Sequence, residues 1–454
     1  RLSKQMMANF SENLLQNARP IRWGCGPLSI RYGVALSIAA ALLLVAGFTG
    51  LSPVHVSSLS SEVEAVSIIL TADPGSMVGL AEGDLIMAAL EDTWSPPQFG
   101  PDAFFCWKVT HGRLYGQRVL LVITGIGHDH AALCMSDLLR RFQQPSKNLF
   151  VKDVFFIGTA GFSPRRGGIL DTNDCKAALG GGKHDDGLVM LGDLSVSPFS
   201  LNYDCQKCKW GAVDWFNLLK LQKDTSVCMS APCSLHGRED LFGTFACNFW
   251  SASTRLADEV LAAAATAKLP RMNEALSRIT LKYWQQMEQG TGRSYLESVR
   301  WTNKVFDYTV TSEASSTTFW QGIPFEVLGR SYVADLINTA LNNIAARENK
   351  PAPPNITAKD TICVSSMEAV GWMGAMMLSE FYILGRRHNS IPFVNIRGAA
   401  DYVFNPVIRD ELGRWLSNDK WLNKSEGDVL VKEGYRQAIR VSSELLLHVF
   451  RERA

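Results

Sequence analysis

Five short strings bring side chains capable of acid–base chemistry next to backbone that a ligand can approach. They are Thr71-Ala72-Asp73-Pro74-Gly75, Thr124-Gly125-Ile126-Gly127, Gly158-Thr159-Ala160-Gly161, Ser366-Met367-Glu368-Ala369 and Arg397-Gly398-Ala399-Ala400-Asp401. A carboxyl group buried at a strand end loses solvation and holds its proton toward neutral pH, which suits it to protonate a leaving group. A second carboxylate, kept ionised, can stabilise positive charge that develops in a transition state. Gly125 and Gly127 let the backbone come close to a bound molecule, and the helix start that follows favours electron-rich oxygens. Taken singly, each string has a plainer reading. Asp401 could be a helix N-cap or turn residue, and Glu368 a solvated acid in a helix's first turn.

The elements around these strings point the same way. Val66-Ser67-Ile68-Ile69-Leu70, Val119-Leu120-Leu121-Val122-Ile123, Val154-Phe155-Phe156-Ile157 and Ile391-Pro392-Phe393-Val394-Asn395-Ile396 are apolar runs of strand length, each ending at one of the strings. Residues 188–196 read as a further strand. Helical spacing follows residue 127, with Leu133, Leu138, Leu139 and Phe142 on its apolar side, and recurs over 254–268, 367–384 and 429–450, with a short helix expected at 209–222. Strands alternating with helices predict a three-layer α/β/α fold whose central sheet is mostly parallel. Ligands of such sheets bind at the carboxyl ends of the strands, where Asp73, the 124–127 and 158–161 loops and Asp401 converge.

The last four strings, in this order, resemble the nucleoside phosphorylase superfamily. The resemblance is nearest to methylthioadenosine/S-adenosylhomocysteine nucleosidases, uridine phosphorylases and the plant bark and vegetative storage proteins. It runs over about residues 64–450, with insertions near 175–247 (Cys-rich) and 326–362 (loop). It implies cleavage of the N-glycosidic bond of a purine nucleoside, by hydrolysis or by phosphorolysis; a non-catalytic storage or nucleoside-binding protein is the alternative. It also implies roles. Asp401 protonates the departing base, Glu368 of the Met367-Glu368 pair binds the ribose hydroxyls, Thr124 touches ribose or phosphate, and Asp73 activates water. Gly125, Gly127 and Thr159 complete the substrate-binding loops, and Phe319, within 312–320, stacks on the base. No cofactor is implied beyond inorganic phosphate as co-substrate. Ser76 stands where the phosphorylases carry a phosphate-gripping Arg, which favours water over phosphate. Ala400 stands where many members have Ser before the Asp.

Composition bounds the rest. Hydrophobic content of 46% and charged content of 20% exclude wholesale disorder, and a net charge of +1 without a basic block excludes a nucleic-acid footprint. Residues 33–51 carry no charge and would rise about 28 Å as a helix, enough to span a bilayer. Arg19, Arg22 and Arg31 precede this stretch, and Glu62 and Glu64 follow it, so residues 1–32 are expected in the cytoplasm and the domain from 64 onward in the secretory lumen or outside the cell. The stretch reads as a signal anchor followed by a tether over 52–63; a signal peptide cleaved near 46–50 is the alternative. A start at Arg1 reads as part of a longer precursor.

In that setting the cluster Cys175, Cys205, Cys208, Cys228, Cys233 and Cys247 is expected to form disulfides rather than a zinc site. Asn355-Ile356-Thr357 and Asn423-Lys424-Ser425 are glycosylation sequons. His128 and His130 would face different sides of a helix, so no metal site is expected. The expected assembly is a homo-oligomer.

Overall fold

A computed structural model describes residues 64–98, 103–142, 149–169, 187–203, 206–208, 233–235, 248–317, 322–384, 391–409, 411 and 415–454. The chain divides into two units, Arg1–Ser61 and Glu62–Ala454. The expected membrane segment, the helix at 209–222 and Phe319 lie outside the described residues, as do Cys175, Cys205, Cys228 and Cys247 of the cysteine cluster. No helix among the described residues is long and apolar enough to cross a membrane.

The second unit is built on β1 (Glu64–Thr71), β4 (Gln117–Ile123), β5 (Leu149–Phe162) and β14 (Phe393–Tyr402). β1 runs parallel to both β4 and β5, and β14 runs parallel to β5 on its other side. Alternation of side chains decides the layers. Ile68, Leu70, Leu120, Val122, Val154 and Phe156 face α2 (His128–Phe142) and α6 (Ala369–Leu384). Their neighbours Ile69, Val119, Leu121, Phe155 and Ile157 face α3 (Arg255–Thr266) and α7 (Lys424–Arg453). Both faces are covered, which is why these strands read as unbroken apolar runs.

The sheet is mixed and largely parallel rather than uniformly parallel. β2 (Glu91–Trp94) and β3 (Lys108–Leu114) add an antiparallel edge beside β4. β13 (Ile362–Ser366) meets the end of β5 antiparallel, at Gly161 and Phe162, and is itself parallel to β12 (Thr311–Ser315). The β3–β4 hairpin turns at Tyr115 and Gly116, both at positive φ, the geometry that two-residue hairpins require.

Three expectations are corrected. Residues 326–347 are not a loop: α5 (Ile323–Arg347) buries Phe325, Val333, Leu336, Ile337, Ala340 and Ile344 in a second core, and loop begins only after Arg347. The strand expected over 188–196 is confined to β6 (Leu194–Ser197), because Asp193 accepts the Met190 N–H at 2.7 Å and closes a turn with Gly192 at φ +87°. Leu133 lies on the outer side of α2 and is 60% exposed.

A disulfide joins Cys106, ahead of β3, to Cys134 of α2. The same segment is held by Asp137, whose Oδ2 accepts the Phe105 N–H at 3.1 Å.

Candidate active site

The strands bring all five strings to one end of the sheet, around a cavity of about 360 Å³. That lies within the ~300–1,000 Å³ range of small-molecule sites. Glu82, Thr159, Ser366, Met367, Glu368 and Asp401 line it, with Ile126 from the glycine loop and Leu430, Val431 and Tyr435 from α7.

Asp401 owes its position to a bulge. In the pairing of β14 with β5, Ala399 opposes Ala160 and Asp401 opposes Gly161, so Ala400 is the extra residue. A regular strand would turn Ala400 and Asp401 to opposite faces; with the bulge both line the cavity. Helix α7 then closes tightly over this strand. A Cβ on Gly434 would lie 2.2 Å from the Ala400 carbonyl oxygen, and one on Gly398 would lie 2.7 Å from the Ala438 Cα. Only glycines permit that approach, and it carries Leu430, Val431 and Tyr435 to the cavity mouth. Burial pushes the Asp401 carboxyl up to about 7.

Glu368 follows β13 and immediately precedes α6, and it is 6% exposed rather than solvated. Its carboxyl receives the backbone N–H of Gly127 and, at 3.2 Å, Nη2 of Arg397. Burial raises it to about 7. The Arg397 guanidinium opposes that rise, and the carboxylates of Glu82 and Glu313 reinforce it.

Other expected residues are placed differently. Asp73 is buried, but its Oδ1 accepts from the Gly75 N–H at 3.0 Å, the Ser76 N–H at 2.8 Å and the Ser76 hydroxyl at 2.6 Å. Its carboxylate is therefore engaged in its own loop, and it is not among the residues lining the cavity. Thr124 donates its hydroxyl to the carbonyl oxygens of Gly125 at 2.8 Å and Thr71 at 3.2 Å, so that group too is turned to backbone. Gly125 and Gly127 sit at φ +90° and +101°, the left-handed region where glycine is strongly favoured. Met367 and Thr159 line the cavity.

The acid that sequence reasoning missed is Glu82. It sits just before α1 (Asp84–Ala89), where it reads as an ordinary helix-entry residue. In the structure it is 2% exposed. Its Oε2 accepts the N–H groups of Ala72 at 2.8 Å and Asp73 at 3.2 Å. Its Oε1 accepts the Thr159 N–H at 2.8 Å and hydroxyl at 3.1 Å. Four donors fix one carboxylate at the junction of β1 and β5. Tyr435 hydrogen-bonds the Thr159 side chain, and burial pushes its phenol well above the usual range.

Beneath the cavity, Arg397 is fully buried with its guanidinium 3.9 Å over the Phe156 ring. A charge inside the run Phe393-Val394-Asn395-Ile396-Arg397 must be paired, a signal the sequence did offer. Its partners, Glu313 and Glu368, come from other strands. Among the described residues no group of His, Cys, Asp and Glu is arranged to hold a metal ion.

Comparison with solved structures returns nucleosidases. The methylthioadenosine/S-adenosylhomocysteine nucleosidase of Neisseria meningitidis, solved with methylthio-immucillin-A, aligns at 15% identity and a TM-score of 0.38, over 85% of this chain and 99% of its own. The Streptococcus pneumoniae enzyme, solved with 8-aminoadenine, aligns at 14% and 0.37, over 84% and 97%. The chain is structurally similar to this group over most of its length. Futalosine hydrolase of Helicobacter pylori aligns at 11% and 0.36, over 85% and 97%. No protein-family profile matches the chain, and no curated protein does. At such identities and TM-scores the matches add nothing to the chemistry, which rests on the geometry of the site itself.

Proposed function

We propose that this chain hydrolyses the N-glycosidic bond of a purine nucleoside. The observation that carries the reading is that three carboxyl groups, Glu82, Glu368 and Asp401, line one cavity whose lining among the described residues includes no Lys, Arg or His. Asp401, protonated up to about pH 7, donates its proton to a ring nitrogen of the departing base. Glu368 holds the ribose hydroxyls and favours the positive charge that builds on the ring as the bond lengthens. Glu82 takes the proton of the attacking water, a role expected at Asp73 but better suited to a carboxylate on the cavity wall. The balance is simple: the bond between base and anomeric carbon breaks, water supplies hydroxide to the carbon, and the base leaves with one proton.

Water is favoured over phosphate because no Lys or Arg among the described residues lining the cavity is there to grip a phosphate dianion. The residue in place of the phosphorylase Arg is Ser76, and its hydroxyl is bonded to Asp73. A second reading, a nucleoside-binding protein without turnover, draws on Thr124, whose hydroxyl is committed to backbone carbonyls instead of facing the cavity.

The test is release of free base from adenosine, inosine, guanosine and methylthioadenosine by the full chain, with and without phosphate. Release without phosphate that disappears in Asp401→Asn supports the hydrolase. Release only with phosphate overturns the choice of nucleophile. Binding without release in a folded protein supports the second reading.

A further inference from the structure

Arg397 is in contact with more carboxylates than one guanidinium can neutralise. Its Nε donates to Glu313 Oε1 and its Nη2 to Glu368 Oε2 at 3.2 Å. Its Nη1 makes no hydrogen bond among the described residues, and a Cβ on Gly158 would lie 2.6 Å from both that nitrogen and Glu82 Oε1. Glu82 and Glu368 line the cavity; Glu313 does not. Glu313 stands on β12, fully buried, and its other oxygen receives the Ser366 hydroxyl at 3.5 Å. The mechanism above gives it no task, yet it makes the most intimate contact with the one cation of the cluster.

We propose that Glu313 is a positioning residue: it fixes Arg397 by the Nε edge, so that Nη2 orients Glu368 toward the substrate and the positive charge is divided between Glu313 and Glu368. The catalytic meaning of this assignment rests on the nucleosidase reading. Two physical consequences follow. With Glu313 ionised, Arg397 is shared, and Glu368 keeps its proton to a higher pH than it would as the sole partner. With Glu313 neutral, Arg397 belongs to Glu368, and the like-charge repulsion on Glu368 also vanishes. The groups acting on Glu368 are Arg397 of β14, Glu313 of β12, Glu82 ahead of α1 and the Gly127 N–H ahead of α2, and Tyr435 of α7 is coupled to it.

The experiment follows the Glu368 carboxyl carbon by NMR in the full chain labelled at glutamate, with Glu368→Gln used for assignment. The Glu313→Gln variant is expected to move the Glu368 titration midpoint down by about one pH unit. Glu313→Asp, which keeps the charge, is expected to bring it back toward wild type. The acid limb of kcat/KM for base release should move with it.

A midpoint unchanged in Glu313→Gln, or moved equally in Glu313→Asp, overturns the proposal. So does failure of both variants to fold, which would make Glu313 a structural ion-pair partner alone. Absence of base release by the wild-type chain would sink the nucleosidase reading, while the NMR titration still decides the role of Glu313.

Discussion

Glu82 and Thr159 are separated by 77 residues, yet one oxygen of the Glu82 carboxylate accepts both the backbone N–H of Thr159, at 2.8 Å, and its hydroxyl, at 3.1 Å. This bond registers the loop after β1 against the end of β5 and holds a carboxylate on the cavity wall. Glu82→Gln keeps an acceptor for Thr159 but loses the base. Its kcat is expected to fall by about 10²–10⁴-fold with KM little changed. Asp73→Asn, whose amide oxygen still accepts from Gly75 and Ser76, should cost less than about tenfold. Steady-state kinetics with the two effects reversed would return the base to Asp73.

The pH profile carries the roles of the other two acids. Asp401 must be protonated to act, so turnover is lost as pH rises through about 7. Glu368 must be ionised to hold the sugar, so turnover is also lost as pH falls below about 7. The expected profile is a narrow bell near neutrality. Asp401→Asn should abolish its alkaline limb along with most of the rate. A broad plateau from acid to alkaline pH would refute both assignments.

Asp401 also makes a stability prediction. Folding raises its pKa, so the folded protein keeps a proton that the unfolded chain releases near its ordinary value of about 4. The stabilising contribution is therefore whole below about pH 4 and is lost as pH climbs through about 7. Asp401→Asn, neutral throughout, is expected to melt a few degrees above wild type at about pH 8 and to match it at about pH 4. Thermal unfolding at the two pH values checks this.

Gly158 lies under both Glu82 and Arg397, with 2.6 Å between its would-be Cβ and a polar atom of each. Gly158→Ala should displace both side chains, costing about 1–3 kcal/mol of stability and a larger share of turnover than of ligand binding. Denaturant unfolding and base-release kinetics measure the two effects. Unchanged turnover would mean the cavity wall tolerates displacement of both.

The Cys106–Cys134 disulfide closes a loop across 28 positions and ties the segment before β3 to α2, whose first turn adjoins Gly127. Replacing both cysteines by serine is expected to cost about 2–4 kcal/mol. Comparing unfolding of this double variant with wild type isolates this bridge from the remaining cysteines. No loss would show that Asp137 alone holds the segment.

What could be read in the sequence was whatever depends on local period and local chemistry. The apolar runs of β1, β4, β5 and β14 announced buried strands, and Gly125 and Gly127 announced backbone open to close approach. Asp401 and Glu368 were found through a resemblance carried by their own strings. Helix α5 was missed because its apolar residues ring a helix buried on several sides, leaving no clear stripe, and because it interrupts the resemblance. Glu82 was missed because an acid ahead of a short helix looks like any solvated helix-entry residue.

The sequence by itself determined a three-layer α/β unit, the end of the sheet where the cavity lies, and two of the acids that line it. Hydrophobic period and turn chemistry are properties of neighbours in the chain, so they survive without the fold. Tertiary structure alone decided which carboxylate faces the cavity and which is engaged elsewhere. Asp73 is claimed by its own loop, Glu82 is delivered by bonds to Thr159, and Asp401 is turned inward by a bulge against β5. Each depends on partners far away in sequence, because a buried carboxyl group takes its direction and its proton affinity from whichever donors and charges the packing places around it.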